Sequence, residues 1–383
     1  MRVLVVNAGS SSLKLRLLDE SDQVVWSHDA PAPDRLSDAD VAKLLLEAPE
    51  ADAVGHRVVH DGGEFHAPVL LDDDVLDRLE QFTDLAPLHQ PPAVRVARIT
   101  VGVLSRLPAV ACFDTTFHRT LPPAAVTYPL PAAWREEFPL RRYGFHGLSH
   151  AWVARRVSEL AGGVPERLVS CHLGAGSSLT AIQQGRAVDT TMGFTPLEGV
   201  MMATRSGSVD PGLLLWLIRH AGLDPAEVER GLEYESGLAG LAGTADLRDV
   251  LAQAAAGANS AALAVEVLLR SLRAGVAAMA TALNGIDALA FTGGIGENAP
   301  AIRARVAAGL TFLGVTVDAE LNQTCQPDAE ITASDGSVRV FVIAAREDRE
   351  IARGVRDTLA HAGDATRSWT ESASGTADLF STL

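Results

Sequence analysis

The chain has 383 residues, 47% hydrophobic and 21% charged, which suits two folded domains of about 100–200 residues each and excludes disorder of the chain as a whole. Lysine and arginine number 32 against 48 aspartates and glutamates, a formal net charge of −16 that opposes binding to nucleic acid or to an anionic membrane. An anionic small substrate is still allowed, provided that its site gathers cations locally. Cys112, Cys171 and Cys325 are odd in number and far apart, so they suit neither a disulfide framework nor a zinc site.

In chain order, strands are expected over 2–6, 13–18 and 23–27. The first two are joined by Asn7-Ala8-Gly9-Ser10-Ser11-Ser12. The opening residues read as a strand and not as a secretory leader. Buried strands follow over 53–59 and 109–113, with a helix over 91–104 between them. Ser149 precedes a helix whose Val153, Val157 and Leu160 share a face and which stops at Gly162-Gly163. Strand grammar then returns over 168–173, 178–183 and 186–190, with Gly174-Ala175-Gly176-Ser177 as the first turn. Pro211 opens an apolar helix, and a long helix runs from Ser260 to Asn284-Gly285. That stretch carries Glu266, Arg270 and Arg273, so it does not span a membrane, and a soluble, cytoplasmic protein is expected. A strand over 288–292, a glycine loop, a helix from Pro300, a strand over 338–343 and a helix over 347–360 complete the order. Residues 365–383, rich in Ser, Thr, Ala and Gly, read as a mobile tail.

Ala8-Gly9-Ser10-Ser11-Ser12-Leu13 and Ala175-Gly176-Ser177-Ser178-Leu179 nearly repeat one another about half a chain apart. The repeat reads as a duplicated domain, against the plainer alternative of chance likeness between two small-residue turns. Strand–helix alternation predicts an α/β fold with mixed sheets.

Small residues let backbone N–H groups approach an anion, and Asn7, the serines and Lys14 add donors to the first turn. Gly174 and Gly176, preceded by His172, make a second loop of that kind. A plain hairpin needs small residues too. Gly293-Gly294-Ile295-Gly296-Glu297-Asn298 sits between strand and helix, where open α/β sheets bind ligands, yet it lacks a dinucleotide fingerprint or a Walker lysine. Arg57 and Arg205 stand in loop-like contexts and suit bidentate capture of carboxylate or phosphate. Asp114 closes a buried strand, His146 lies among glycines and aromatics, and Glu347 opens the last helix. Phosphate cradles, paired arginines and carboxylates for a metal point to phosphoryl transfer.

VNAGSSSLK from Val6, GHRVVH from Gly55, FDTTFH from Phe113, RRYGFHGLSH from Arg141, TRSG from Thr204 and FTGGIGEN from Phe291 resemble the acetate kinase family, in one order over 1–360. That resemblance implies two ribonuclease-H-like domains of the acetate and sugar kinase/actin superfold around a cleft. The expected boundaries are 1–118 completed by a helix over 349–364, then 119–348 as the nucleotide-binding domain. It further implies Mg²⁺ (or Mn²⁺), ATP/ADP and acetate/acetyl phosphate as partners, and a homodimer. By resemblance, Arg57, Asp114, His146 and Arg205 are catalytic, with Lys14, His89 and His172 in support. Asn7 and Glu347 serve the metal, and Arg57, Val59, Leu88, Phe145 and Pro196 the acid. The nucleotide falls to Lys14, His172, Gly174, Gly176, Asp246, Leu247, Arg248, Gly294, Ile295, Gly296 and Asn298.

The chain departs from that pattern at Ala175, Ala203, Ser208, Arg346 and Gln90, and Asp61 is an extra residue. Rival readings are a propionate or butyrate kinase, a pyrophosphate-dependent kinase, and a nucleotide-binding regulator without turnover.

Overall fold

The computed structural model describes residues 1–9, 12–87 and 89–375, with side chains as far as His361. The chain divides into two compact units: Met1–Thr116 together with the segment that begins at Glu347, and Phe117–Arg346.

The first unit holds strands β1 (Val3–Ala8), β2 (Ser12–Leu18), β3 (Val24–Pro31), β4 (Ala53–Val58), β5 (Val69–Leu70) and β6 (Ala109–Phe113), in the order β3-β2-β1-β4-β6-β5. Strands β1, β4 and β6 run parallel, and the other neighbours are antiparallel. The second unit holds β7 (Arg167–Leu173), β8 (Ser177–Gln183), β9 (Arg186–Thr190), β10 (Ala288–Thr292), β11 (Ala329–Glu330) and β12 (Arg339–Val342). Their order is β9-β8-β7-β10-β12-β11, with the same parallel or antiparallel sense at each step as in the first sheet. The repeat of the small-residue turns thus marks a repeat of topology. Each turn closes the hairpin at the head of its sheet, although Ser10 and Ser11 lie outside the described residues.

Strand alternation decides what each sheet face meets. In the first unit Leu4, Val6, Val54, Val58, Ala111 and Phe113 face helices Asp38–Glu47 and Gln90–Val103, packing on Val41, Leu45, Ala93 and Ala97. The opposite face, with Gly55 and Cys112, is covered by the C-terminal helix Glu347–Gly375. In the second unit one face packs on the long helix Asn259–Ala282. Its other face packs on helix Gly147–Ala161 through Trp152, Val153 and Val157.

Four local expectations change. The loop-like context of Arg57 gives way to the strand expected over 53–59: Gly55-His56-Arg57 is the middle of β4, with ladders to β1 and β6 on both sides. Gly293–Asn298 is a short helix, not a loop, because Gly293 at φ 78° turns the chain directly off β10. Ser149 lies inside its helix, which begins at Gly147 with His146 at the N-cap, while Gly162 ends it as expected. The last helix continues past Ala360 to Gly375, since no proline follows Pro327 to remove a backbone donor. Residues 376–383 lie outside the described residues.

A Cβ on Gly55 would sit 2.6 Å from Ile351 Cγ2 and 2.7 Å from Val355 Cγ2. Gly55→Ala is therefore expected to destabilise by about 1–3 kcal/mol through overpacking, read as a lower urea midpoint.

Candidate active site

Asn7, Arg57 and Asp114 all fall at the carboxyl ends of the three parallel strands of the first unit, on the face that the C-terminal helix covers. Arg57 Nε and Nη2 donate to Asp114 Oδ2 at 3.0 and 2.5 Å, and Nη1 donates to Asn7 Oδ1 at 3.4 Å. Glu347, the first residue of the helix, accepts from Asn7 Nδ2 at 3.3 Å and lies 3.7 Å from Arg57 Nε. Asp114 is 1% exposed and Arg57 14%. Burial opposes the charge on Arg57, but Asp114 and Glu347 outweigh it and push its pKa above the ordinary guanidinium value. His56, one residue earlier, points to the other face, where burial holds its pKa down to about 3. Lys14 is exposed beside Asn7 in the β1–β2 ladder.

The second unit gathers a second set. His146, at φ 56°, stacks on His172 with ring centroids 4.3 Å apart. Its Nδ1 lies 2.9 Å from Ser178 Oγ, and His172 Nδ1 lies 2.8 Å from Ser149 Oγ. A Cβ on Gly176 would lie 3.2 Å from His146 Nε2 and 3.4 Å from Arg205 Nη1, so both groups border one small space over the glycine. Arg205 is anchored by Glu233, at 3.0 Å from Nε, and reaches Pro196 O at 3.4 Å. Burial pushes the Glu233 carboxyl up despite the pull of Arg205. The Arg205 loop is tied to the glycine loop by a bond from Ala203 N to Ala175 O.

Gly293 meets the Leu173 carbonyl so closely that a Cβ would lie 2.7 Å from it, which sets helix Gly293–Asn298 beside the Gly174 loop. Gly294 and Asn298 are exposed, Ile295 is half-buried, Gly296 is buried, and Asn298 Nδ2 donates to Gly294 O. Asp246 caps helix Leu247–Ala255 and pairs with exposed Arg248, whose side-chain bond leads in lowering the Asp246 pKa to about 2. Leu247 is buried in the core of the unit. Val59 and Phe145 are buried and Pro196 half-buried, whereas Leu88 lies outside the described residues. The extra residue Asp61 is buried, with its Oδ1 accepting from Gly63 N at 2.7 Å.

The sequence profile described as the Acetokinase family matches residues 32–353. The chain belongs to the acetokinase family. It is 42% identical over 402 aligned positions to a protein named acetate kinase from Synechococcus sp. (strain JA-2-3B'a(2-13)), covering 94% of this chain and 99% of that one. Acetate kinase from Carboxydothermus hydrogenoformans is 38% identical, over 92% and 98%. Among solved structures, Porphyromonas gingivalis acetate kinase superposes with a TM-score of 0.86 at 32% identity, over 94% and 99%. A propionate kinase from Francisella tularensis gives 0.85 at 33%, over 92% and 98%. The acetokinase fold, two mixed sheets flanked by helices, is thus the fold of this chain, and the family uses ATP as co-substrate.

Among the described residues there is no group of three or more His, Cys, Asp or Glu able to hold a metal ion. A magnesium ion shared with nucleotide phosphates needs only one or two carboxylates, and the hard oxygens of Glu347 and Asn7 fit that requirement. Glu233 escaped sequence reasoning, while Ser178 figures there only within the repeated turn and Gln90 only as a departure from the family pattern. Glu233 lies at the end of an ordinary amphipathic helix, and Ser178 reads as a strand residue. Gln90 is buried, accepting from His60 N and donating to His60 O through its amide, a bridge that no local pattern announces.

Gly176→Ala, at a glycine without positive φ, should fold normally but place a methyl between His146 Nε2 and Arg205. Kinase turnover is expected to fall roughly ten- to hundredfold with an unchanged melting temperature, read by steady-state kinetics and thermal unfolding.

Proposed function

We propose that this protein is an acetate kinase, which reversibly transfers the γ-phosphoryl group of ATP to acetate and forms acetyl phosphate and ADP. The observation that carries the reading is the Asn7–Arg57–Asp114–Glu347 cluster: an arginine fork held rigid by a buried carboxylate, next to a second carboxylate suited to a metal. In the proposed reaction a carboxylate oxygen of acetate attacks the γ-phosphorus in line. The bond from that phosphorus to the β,γ-bridging oxygen breaks, and ADP leaves with the electron pair. The acid is already an anion, so no general base is required.

Arg57 and Arg205 would clamp the carboxylate and the moving phosphoryl group, with Asp114 holding Arg57 in place. His146 Nε2 would donate to the equatorial oxygens, with Lys14 and His172 in support. Bound Mg²⁺ would neutralise phosphate charge, held by Glu347 and Asn7. The second unit is read as the nucleotide-binding one, through Gly174, Gly176, Asp246, Leu247, Arg248, Gly294, Ile295, Gly296 and Asn298. The apolar character of Val59, Phe145 and Pro196 suits a methyl group. Exposed Leu213, Leu215 and Trp216 on helix Pro211–Trp216 support a homodimer. A cytoplasmic site of action is part of the same reading, and among the described residues no helix is long and apolar enough to cross a membrane.

Hydroxylamine trapping of acyl phosphate, with Mg²⁺, ATP and acetate, propionate, butyrate or no acid, tests the reading. Acetate is expected to give the strongest signal. A stronger signal with a longer acid would change the substrate, and silence with every acid would overturn the kinase. Arg57→Lys keeps a cation against Asp114 but loses the planar fork. It is expected to lower acyl phosphate formation about a hundredfold or more while circular dichroism stays unchanged.

A further inference from the structure

Ser178 is fully buried in β8, and its hydroxyl lies within hydrogen-bond distance of two imidazoles: 2.9 Å from His146 Nδ1 and 2.8 Å from His150 Nε2. The other nitrogen of His150, Nδ1, lies 2.8 Å from Ser170 Oγ. Ser170, His150 and Ser178 are each 0% exposed. The four side chains form one line, Ser170–His150–Ser178–His146, ending at the His146 Nε2 that borders Gly176 and Arg205. Spacing assembles it. His146 and His150 are one helical turn apart, linked by a bond from His150 N to His146 O, and Ser170 and Ser178 share a face on neighbouring strands.

A hydroxyl carries one proton, so Ser178 can donate to only one of the two rings. Burial disfavours the His150 cation, and His118 and His172 add to that, so His150 is neutral with one ring proton. Two proton orders then satisfy the line. In the first, Ser170 donates to His150 Nδ1, His150 Nε2–H donates to Ser178, and Ser178 donates to His146 Nδ1. A neutral His146 then carries its proton on Nε2. In the reverse order His146 donates from Nδ1, and Nε2 presents a lone pair. With His146 neutral, only the first order offers a donor to anionic phosphoryl oxygens.

We propose that Ser178, backed by His150 and Ser170, is a positioning residue that fixes His146 as the Nε2–H tautomer and aims it at the transferring phosphoryl group. The inference rests on the proposed role of His146 in that transfer. A tautomer is set by the hydrogen bond that the other ring nitrogen makes, and here that bond comes from a hydroxyl whose own partner is locked in the core.

Nitrogen-15 NMR of histidine-labelled protein, with His146 assigned by the signal missing in His146→Gln, reads the tautomer without disturbing the line. Neutral His146 protonated on Nε2 is expected, and protonation on Nδ1 overturns the proposal. Ser178→Ala is expected to lower kcat roughly a hundredfold with KM values unchanged, and Ser178→Thr to recover part of that loss. Wild-type kcat in Ser178→Ala, beside an inactive His146→Gln, overturns the positioning role alone. Wild-type turnover in His146→Gln overturns the role of His146 itself, and the proposal with it.

Discussion

Asp114 is a carboxylate buried at the end of a central strand, and Arg57 balances its charge there by donating to it through two nitrogens. Removing one partner of such a pair typically costs about 3–5 kcal/mol, since the other charge is left buried and uncompensated. The arrangement constrains the whole first unit. Held by Asp114, Arg57 also reaches Asn7 through Nη1, and Glu347 at the start of the last helix lies beside it. A guanidinium held this way needs no reordering when an anion arrives, and such preorganisation is what electrostatic catalysis requires.

The duplicated topology brings polar side chains to equivalent places in both units. In each sheet a hairpin heads three parallel strands, and the carboxyl ends of those strands carry the polar side chains: Asn7, Arg57 and Asp114 in one, His172 and the turn into Gly293 in the other. The two copies have diverged in chemistry. The first built a charge cluster, and the second built glycine contacts backed by a line of histidines and serines. Glycine makes the second kind possible, since Gly293 at φ 78° lets a helix start against the Leu173 carbonyl.

Four of the six departures from the family pattern, Asp61, Ala175, Ala203 and Gln90, have local accounts. Asp61 is absorbed by bonding to Gly63 N, and its own backbone N–H donates to Thr115 Oγ1. Ala203 keeps a backbone bond to Ala175, so the Arg205 loop stays joined to the glycine loop with methyl groups at both positions. Gln90 bonds His60 through both ends of its amide, joining its helix to the chain just beyond β4.

By itself the sequence determined the longer strands of both sheets, though not the two-residue β5 and β11, together with their repetition and the residues capable of phosphate and carboxylate chemistry, because apolar alternation and small-residue turns are written locally. The β6 strand, the long apolar helix and the Gly162 stop followed from periodicity and from the tolerance of glycine for φ above zero. Tertiary structure decided what each group does. The strand expected over 53–59 took its central place through ladders to residues about 50 positions away, and that pairing turned Arg57 toward Asp114 and His56 into the opposite core. Glu233 beneath Arg205, and Ser178 between two histidines, were likewise decided by packing. A hydrogen bond between residues distant in the chain leaves no period, cap or turn signal in either segment, so only the folded sheet brings such partners together.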